Sequence, residues 1–188
     1  MKKRGIMPGI IAGIAIIGLF SSCEEIDGLF EDFALTITSD YYETEIAIPP
    51  VEAGTAFSTE TVFREDLENL LAEHGYGNAT INSVNILDAM IEVSGKSRIE
   101  TLNAIDTVSI SASTAQLIER TIACQKNNQV NATFLSLDIS DSDVTSYIES
   151  EACNLTYFTG LKENIDDTLW VSAKIQYEIN FTVETLEE

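Results

Sequence analysis

The sequence predicts a mainly β protein in which residues 33–188 form a single antiparallel β-sandwich domain of about seven or eight strands with one or two short helices. Apolar and polar residues alternate over many short segments, polar turns separate these segments, and two segments follow a helical period instead. With 188 residues, 45% of them hydrophobic, the chain has the size and composition of one globular domain.

The first half of the domain contains two alternating segments and one amphipathic helix. Residues 33–38 and 42–48 are rich in β-branched and aromatic side chains, and the second segment stops at a Pro-Pro pair. Residues 64–74 place three leucines at i, i+3 and i+4 and are followed by glycines. This spacing predicts one short helix.

The second half of the domain returns to the strand pattern. Six segments are predicted as strands: residues 80–93, 107–113, 116–124, 129–137, 152–158 and 169–183. In the last segment the odd positions are apolar and the even positions are largely polar, which predicts one buried face and one wet face. Residues 140–149 predict one or two helical turns opened by Ser and Asp caps.

Residues 1–22 have the three parts of a secretory signal peptide. Residues 2–4 are basic, residues 6–20 form an apolar run, and residues 21–22 are serines that precede Cys23. Glycines and a proline interrupt the apolar run. The run is therefore too short for a membrane-spanning helix, which needs roughly 20 apolar residues.

Residues 19–23 (Leu-Phe-Ser-Ser-Cys) resemble the lipobox of bacterial lipoproteins, in which a cysteine after small residues is lipidated and becomes the first residue of the mature chain. Phe20 departs from the pattern, because many lipoboxes have an aliphatic residue at this place. The chain is similar to small Bacteroidota lipoproteins whose mature part is one β-rich domain. The resemblance implies lipidation of Cys23 and carries no known activity.

The acidic stretch after the cysteine resembles, in that phylum, the export signal for the outer leaflet of the outer membrane. It consists of Glu24, Glu25 and Asp27, and we interpret residues 23–32 as an acidic tether. The resemblance implies a lipid-anchored protein of the outer membrane at the cell surface. The alternative is an acidic linker on a lipoprotein that faces the periplasm.

The charge balance excludes nucleic acid as an expected partner. The chain has 31 acidic and 10 basic side chains, and a product that starts at Cys23 keeps 7 basic residues for a formal charge of −24. Binding to a polyanion needs a surplus of Lys and Arg. The membrane connection is therefore expected through the lipid on Cys23, with an envelope protein or a glycan as further partners.

Cys124 and Cys153 remain as an even pair if Cys23 is lipidated. They lie 29 residues apart in a compartment that permits disulfides, so a disulfide is predicted. The alternative is two separately buried thiols that behave as small hydrophobic groups.

The densest acidic group could supply oxygen ligands to a hard cation such as calcium. Its members are Asp138, Asp141, Asp143 and Glu149. The spacing fits an EF-hand poorly, because an acid occupies the place where that loop needs Gly. The preferred interpretation is that Asp141 or Ser142 caps a short helix while the other acids face water, and we predict no metal and no cofactor.

Two tripeptides resemble the O-glycosylation acceptor pattern of extracytoplasmic Bacteroidota proteins, with Thr107 and Thr168 as acceptors. The preferred alternative is that both threonines stand at the start of a strand.

Taken together, these features predict a lipid-anchored, non-enzymatic binding or structural module of the cell envelope. The first alternative is a carbohydrate- or glycan-binding surface lipoprotein, which clustered Trp and Tyr side chains would favour. Further alternatives are a fimbrial-type subunit, marked by an exposed edge strand, and a small hydrolase, marked by a pocket with perturbed acids.

Overall fold

The computed structural model describes residues 33–63, 66–126, 131–150 and 152–183. The chain divides into two units, Met1–Glu31 and Asp32–Glu188. The signal peptide predicted for residues 1–22, the tether predicted for residues 23–32 and the lipidation site Cys23 lie outside the described residues. No helix in the described ranges is long and apolar enough to cross a membrane.

The described residues form ten strands and two short helices. In chain order the elements are β1 (Phe33–Thr38), β2 (Tyr42–Ile48), β3 (Ala56–Val62), α1 (Leu67–Glu73), β4 (Ala79–Val93), β5 (Ile105–Ser113), β6 (Arg120–Lys126), β7 (Phe134–Ser136), β8 (Asp138–Ile139), α2 (Thr145–Ile148), β9 (Asn154–Leu161) and β10 (Leu169–Val183). The prediction of a mainly β sandwich with one or two short helices is confirmed, with more strands than expected.

The strands form two antiparallel five-stranded sheets. In the first sheet β10 is central, with β4 and then β7 on one side, while β1 and β2 pair with successive halves of β10 on the other side. The second sheet has the order β3-β9-β5-β6-β8. The long strands β4 and β10 are 15 residues each, and they pair from Val171↔Val93 to Val183↔Ala79.

The alternation predicted for the last strand places its odd residues in the core. Tyr177, Ile179 and Phe181 of β10 are completely buried, and each contributes roughly 1.5–3 kcal/mol of hydrophobic free energy on burial. The even residues of the same strand are mostly half-buried, and Ser172 is 2% exposed. The prediction of one buried face is therefore confirmed, whereas the other face is less exposed to solvent than the pattern indicated.

Two strands begin well after their predicted starts. The strand predicted over residues 116–124 begins at Arg120, because Thr114 Oγ1 accepts the backbone N–H groups of Gln116 (3.2 Å) and Leu117 (2.9 Å) in a turn. The strand predicted over residues 129–137 is only Phe134–Ser136 in the described ranges. The strands β3 and β8 are not predicted by the pattern.

Candidate functional site

The two cysteines predicted to form a disulfide are free thiols. Cys124 pairs with Ser109, which pairs with Phe158, so Cys124 lies level with a residue five positions along β9 from Cys153. Five strand residues span about 17 Å, whereas the Cα atoms of a disulfide lie within about 7 Å. The structure therefore corrects this prediction in favour of separate thiols. Burial raises the pKa of Cys153 to about 11.

The acidic group proposed as a cation site is used for pairing and capping instead. Asp141 forms an ion pair with Arg120. Asp143 accepts from the Thr145 hydroxyl (2.6 Å) and backbone N–H (3.0 Å), and the Thr145 hydroxyl holds the pKa of Asp143 below its usual range. Asp143 therefore satisfies the first turn of α2, in place of the predicted capping residues Asp141 or Ser142.

The remaining members of that acidic group are exposed and lie apart from one another in the fold. Asp138 is the first residue of β8, and Glu149 follows α2. No group of three or more His, Cys, Asp or Glu residues in the described ranges is close enough to hold a metal ion.

The two threonines singled out for O-glycosylation stand near strand starts. Thr107 is the third residue of β5 and donates its hydroxyl to Asp106 (3.2 Å). Thr168 immediately precedes β10, and its N–H donates to Asp167 Oδ1 (2.8 Å). Both threonines are half-buried. Their modification stays a prediction.

The outer face of the first sheet carries a network of paired charges. Lys174 of β10 pairs with Glu92 of β4, and Ser172 donates to Glu43 of β2. The Glu92 carboxylate raises the pKa of Lys174. Farther along this face Lys96 pairs with Glu45. Each of these three carboxylates therefore has a cation or a hydroxyl as its partner.

Aromatic residues are distributed between the core and the outer faces of the two sheets. Trp170 is half-buried, and Lys96 Nζ lies 5.8 Å from its ring centroid. Phe134 is 59% exposed and pairs with Glu92. In the pair Tyr157-Phe158, only Phe158 faces out, because successive strand residues point to opposite faces.

A small cavity lies in the core beside α2. It measures about 20 Å³ and has an apolar lining that includes Phe63, Ile148, Cys153 and Tyr177. Ligand pockets measure roughly 300–1,000 Å³. The cavity is therefore a packing defect rather than a ligand site.

A much larger groove of about 500 Å³ opens at one end of the domain, where α1, the start of β4 and the end of α2 meet. We call it the acidic groove. Its apolar part is formed by Leu67, Ile81 and Ile148, with Ala79 and Thr80 along β4. This volume falls in the range of pockets that bind small ligands or peptide segments.

Three carboxylates complete the lining of the acidic groove: Asp66, Glu68 and Glu149. Asp66 caps α1 by accepting the backbone N–H of Asn69 (3.0 Å). The four ion pairs found among the described residues all lie elsewhere, at the outer sheet face, at Arg98 and at Arg120. The groove is thus apolar inside and negative at its margin.

The sequence predicted the elements that form this groove, but it did not predict that they meet in space. The helix that supplies Glu68, the strand that begins near Thr80 and the short helix that ends at Ile148 were all expected. Their convergence brings the end of α2 to elements that lie more than 60 positions earlier in the chain. Of the carboxylates in the groove, Glu149 was singled out in the sequence, as a member of the densest acidic group.

No protein-family model and no curated protein matches the chain. The solved structures that are similar to the chain include two of viruses. One is the structure of infectious bursal disease virus, Gx strain, with a TM-score of 0.33 and 8% identity over 82% of this chain and 37% of that chain. The other is desmodium yellow mottle tymovirus, with a TM-score of 0.26 and 9% identity over 99% of both chains. Both likenesses are too distant to bear on function.

Proposed function

We propose that the protein is a lipid-anchored, non-enzymatic binding module of the cell envelope that holds a cationic segment of another envelope protein in the acidic groove. The groove carries the binding part of this proposal, because it combines a ligand-sized volume, an apolar interior and carboxylates that no described cation neutralises. An oppositely charged partner would gain both electrostatic attraction and apolar burial there.

The anchoring part of the proposal rests on Cys23 and the signal-like residues before it. Several acyl chains on one cysteine provide a stable anchor without a membrane-binding protein face. Cells fed an alkyne fatty acid should label the wild type and keep it in the membrane fraction. Cys23→Ala should lose the label and leave that fraction, whereas the matched variant Cys124→Ala should behave as the wild type. Membrane retention of unlabelled Cys23→Ala protein would contradict lipid anchoring.

Orientation at the membrane is a separate part of the proposal. The acidic residues Glu24, Glu25 and Asp27 favour the outer leaflet of the outer membrane. Protease added to intact cells should then degrade the domain. A domain that survives on intact cells, but is cut once the outer membrane is permeabilised, would place the protein on the periplasmic side.

Two side chains that could serve as catalysts are in unsuitable surroundings, which supports a non-enzymatic role. Cys153 is 3% exposed and its pKa is raised to about 11, so the reactive thiolate is scarce at neutral pH. His74 lies at the end of α1, where its Nδ1 is 2.8 Å from the Leu70 carbonyl oxygen. Neither residue has the arrangement of an activated nucleophile and base.

Charge reversal tests the binding part. The probe is an acetylated, amidated heptapeptide of alternating lysine and valine, and the full chain is held in an uncharged detergent. Combining Glu68→Lys with Glu149→Lys should weaken binding about tenfold or more, because two attractive contacts become repulsive. The control combines Glu52→Lys with Glu163→Lys, two exposed acids outside the groove. Equal weakening by both pairs would show diffuse attraction to an acidic protein and would refute the groove.

Carbohydrate binding is the second candidate function, favoured by one feature of the outer sheet face. Exposed Phe134 lies opposite Glu92, and Trp170 lies on the same face two residues before Ser172, which also pairs with Glu92. Rings beside a carboxylate can stack on and hydrogen-bond a sugar. Affinity electrophoresis in gels that contain soluble polysaccharides should then show retardation that Phe134→Ala abolishes.

A further inference from the structure

The two edges of β4 are occupied differently. On one edge β10 pairs with β4 from Ala79 to Val93. On the other edge the Val84 carbonyl accepts from Val144, Ile86 donates to Ser142, and β7 pairs with residues 90–92. In the described part of the chain no second strand pairs with residues 79–83. This unpaired edge lies in the acidic groove, because Ala79, Thr80 and Ile81 line it.

The backbone of Ile81 presents hydrogen-bonding groups to this unpaired edge. Ala79 donates its N–H to the Tyr76 carbonyl (3.0 Å) and not to its ladder partner Val183. Opposed residues of an antiparallel pair alternate between hydrogen-bonded and non-hydrogen-bonded positions. Ile81, two residues farther along, therefore also turns its N–H and C=O away from β10 and towards the groove.

A β-bulge keeps this orientation consistent along the strand. Phe181 pairs with Ile81 and Asn180 pairs with Ser83, so Asn82 is an extra residue on β4. The extra residue shifts the alternation by one. As a result Ile81 and Val84 turn their backbone groups to the same edge, although they are three residues apart. The groove therefore lies on the same edge of β4 at which the backbone of Val84 already bonds to Val144 and Thr145.

We propose that the cationic segment binds by adding a strand to residues 79–83 of β4. This inference rests on the proposed function of the acidic groove and specifies its binding mode. Main-chain hydrogen bonds from Ile81 provide affinity, as in other complexes where a peptide extends a sheet edge. The occupant is a segment of another protein in the extended conformation. Five paired residues of such a segment span about 17 Å.

The period of a strand then defines the sequence of the partner segment. Successive side chains of an added strand point to opposite faces. In the proposed complex one set meets Leu67, Ile81 and Ile148, and the other set faces the exposed carboxylates Glu68 and Glu149, all of which line the groove. The expected segment therefore alternates aliphatic residues with lysine or arginine. Its charge complements the margin of the groove, where the described chain supplies no cation.

Backbone N-methylation tests strand addition separately from charge. The parent probe is the lysine–valine heptapeptide, and two derivatives carry N-methyl groups on all valines or on all lysines. Successive N–H groups of a strand point to opposite edges, so only one derivative loses the donors that face β4. Binding to the full chain should weaken about tenfold for one derivative, because up to two hydrogen bonds to β4 carbonyls are lost, and should change about twofold or less for the other.

The outcomes separate the binding mode from the function. If both derivatives bind as the parent does, or both weaken equally, strand addition is refuted. If charge reversal at Glu68 and Glu149 also has no effect on the parent peptide, the proposed function of the groove fails as well. If charge reversal weakens binding of the parent peptide but the two derivatives bind equally, the groove binds a cationic segment without strand addition.

Discussion

Val84 and Thr145 are joined by a hydrogen bond of 2.9 Å from the Val84 backbone N–H to the Thr145 hydroxyl oxygen. Thr145 in turn donates its hydroxyl to Asp143 at 2.6 Å. One side chain therefore connects the edge of β4 to the start of α2. It also marks the point where the occupied part of this edge ends and the acidic groove begins.

Removing the Thr145 hydroxyl should destabilise the domain. Thr145→Val keeps the shape of the side chain but leaves the Val84 N–H without its acceptor, and Val84 is completely buried. The expected loss is about 1–3 kcal/mol in the free energy of unfolding, measured in urea. Thr145→Ser retains the hydroxyl and serves as the control. If the valine variant is as stable as the serine variant, the hydrogen bond has no energetic role.

Asp143 should contribute stability that depends on pH. Its pKa is lowered from the ordinary value of 3.8, chiefly by the Thr145 hydroxyl. Its stabilising contribution is therefore complete above pH 3.8 and is lost as the pH falls through the lower, folded-state pKa. The difference in unfolding free energy between wild type and Asp143→Asn should shrink below pH 3.8. In a Thr145→Val background the same substitution should show a smaller dependence on pH, because only the backbone N–H of residue 145 still donates to Asp143, and an unchanged dependence there would contradict the assigned cause.

Two isoleucines at opposite extremes of exposure test the core. Ile179 of β10 is 0% exposed, whereas Ile118 is 87% exposed. Ile179→Ala should cost about 2–5 kcal/mol of unfolding free energy, and Ile118→Ala should change it by about 0.5 kcal/mol or less. Chemical denaturation of both variants measures the difference. Comparable losses at the two positions would contradict the packing of the two sheets.

The cysteines should differ in reactivity. Cys124 is half-buried, whereas Cys153 is buried and has a pKa raised to about 11. N-Ethylmaleimide at pH 8 should label Cys124 in the folded protein and label Cys153 only after denaturation. Mass spectrometry of the digested protein, without reductant, reports both sites. Recovery of two peptides linked through Cys124 and Cys153 would show that the disulfide forms and would contradict the structure.

The sandwich was predictable because long strands repeat a clear signal. The alternation in residues 169–183 correctly placed Tyr177, Ile179 and Phe181 in the core. The strand β3 gave no such signal, because Ala56–Val62 is an edge strand whose side chains are exposed or half-buried throughout. Edge strands bury one face incompletely, so their apolar period is weak.

The bulges and the groove could not be predicted from local patterns. Asn82 and Leu87 are the extra residues at the two bulges of β4, and Leu87 is 45% exposed as a consequence. A single inserted residue changes which side chains face the core without any special composition. The disulfide prediction failed for a similar reason, because a spacing of 29 residues between Cys124 and Cys153 contains no information about the distance between their Cα atoms.

Hydrogen exchange measured by mass spectrometry shows whether a cationic segment binds in the acidic groove. The full chain in an uncharged detergent is compared with and without the lysine–valine heptapeptide. We expect slower exchange confined to the groove, strongest in residues 79–83 and weaker in residues 66–68 and 148–149. In the variant with Glu68→Lys and Glu149→Lys the peptide should not slow exchange. Exchange that does not change in residues 79–83, or that slows equally over the whole domain, would contradict binding of the segment in the groove.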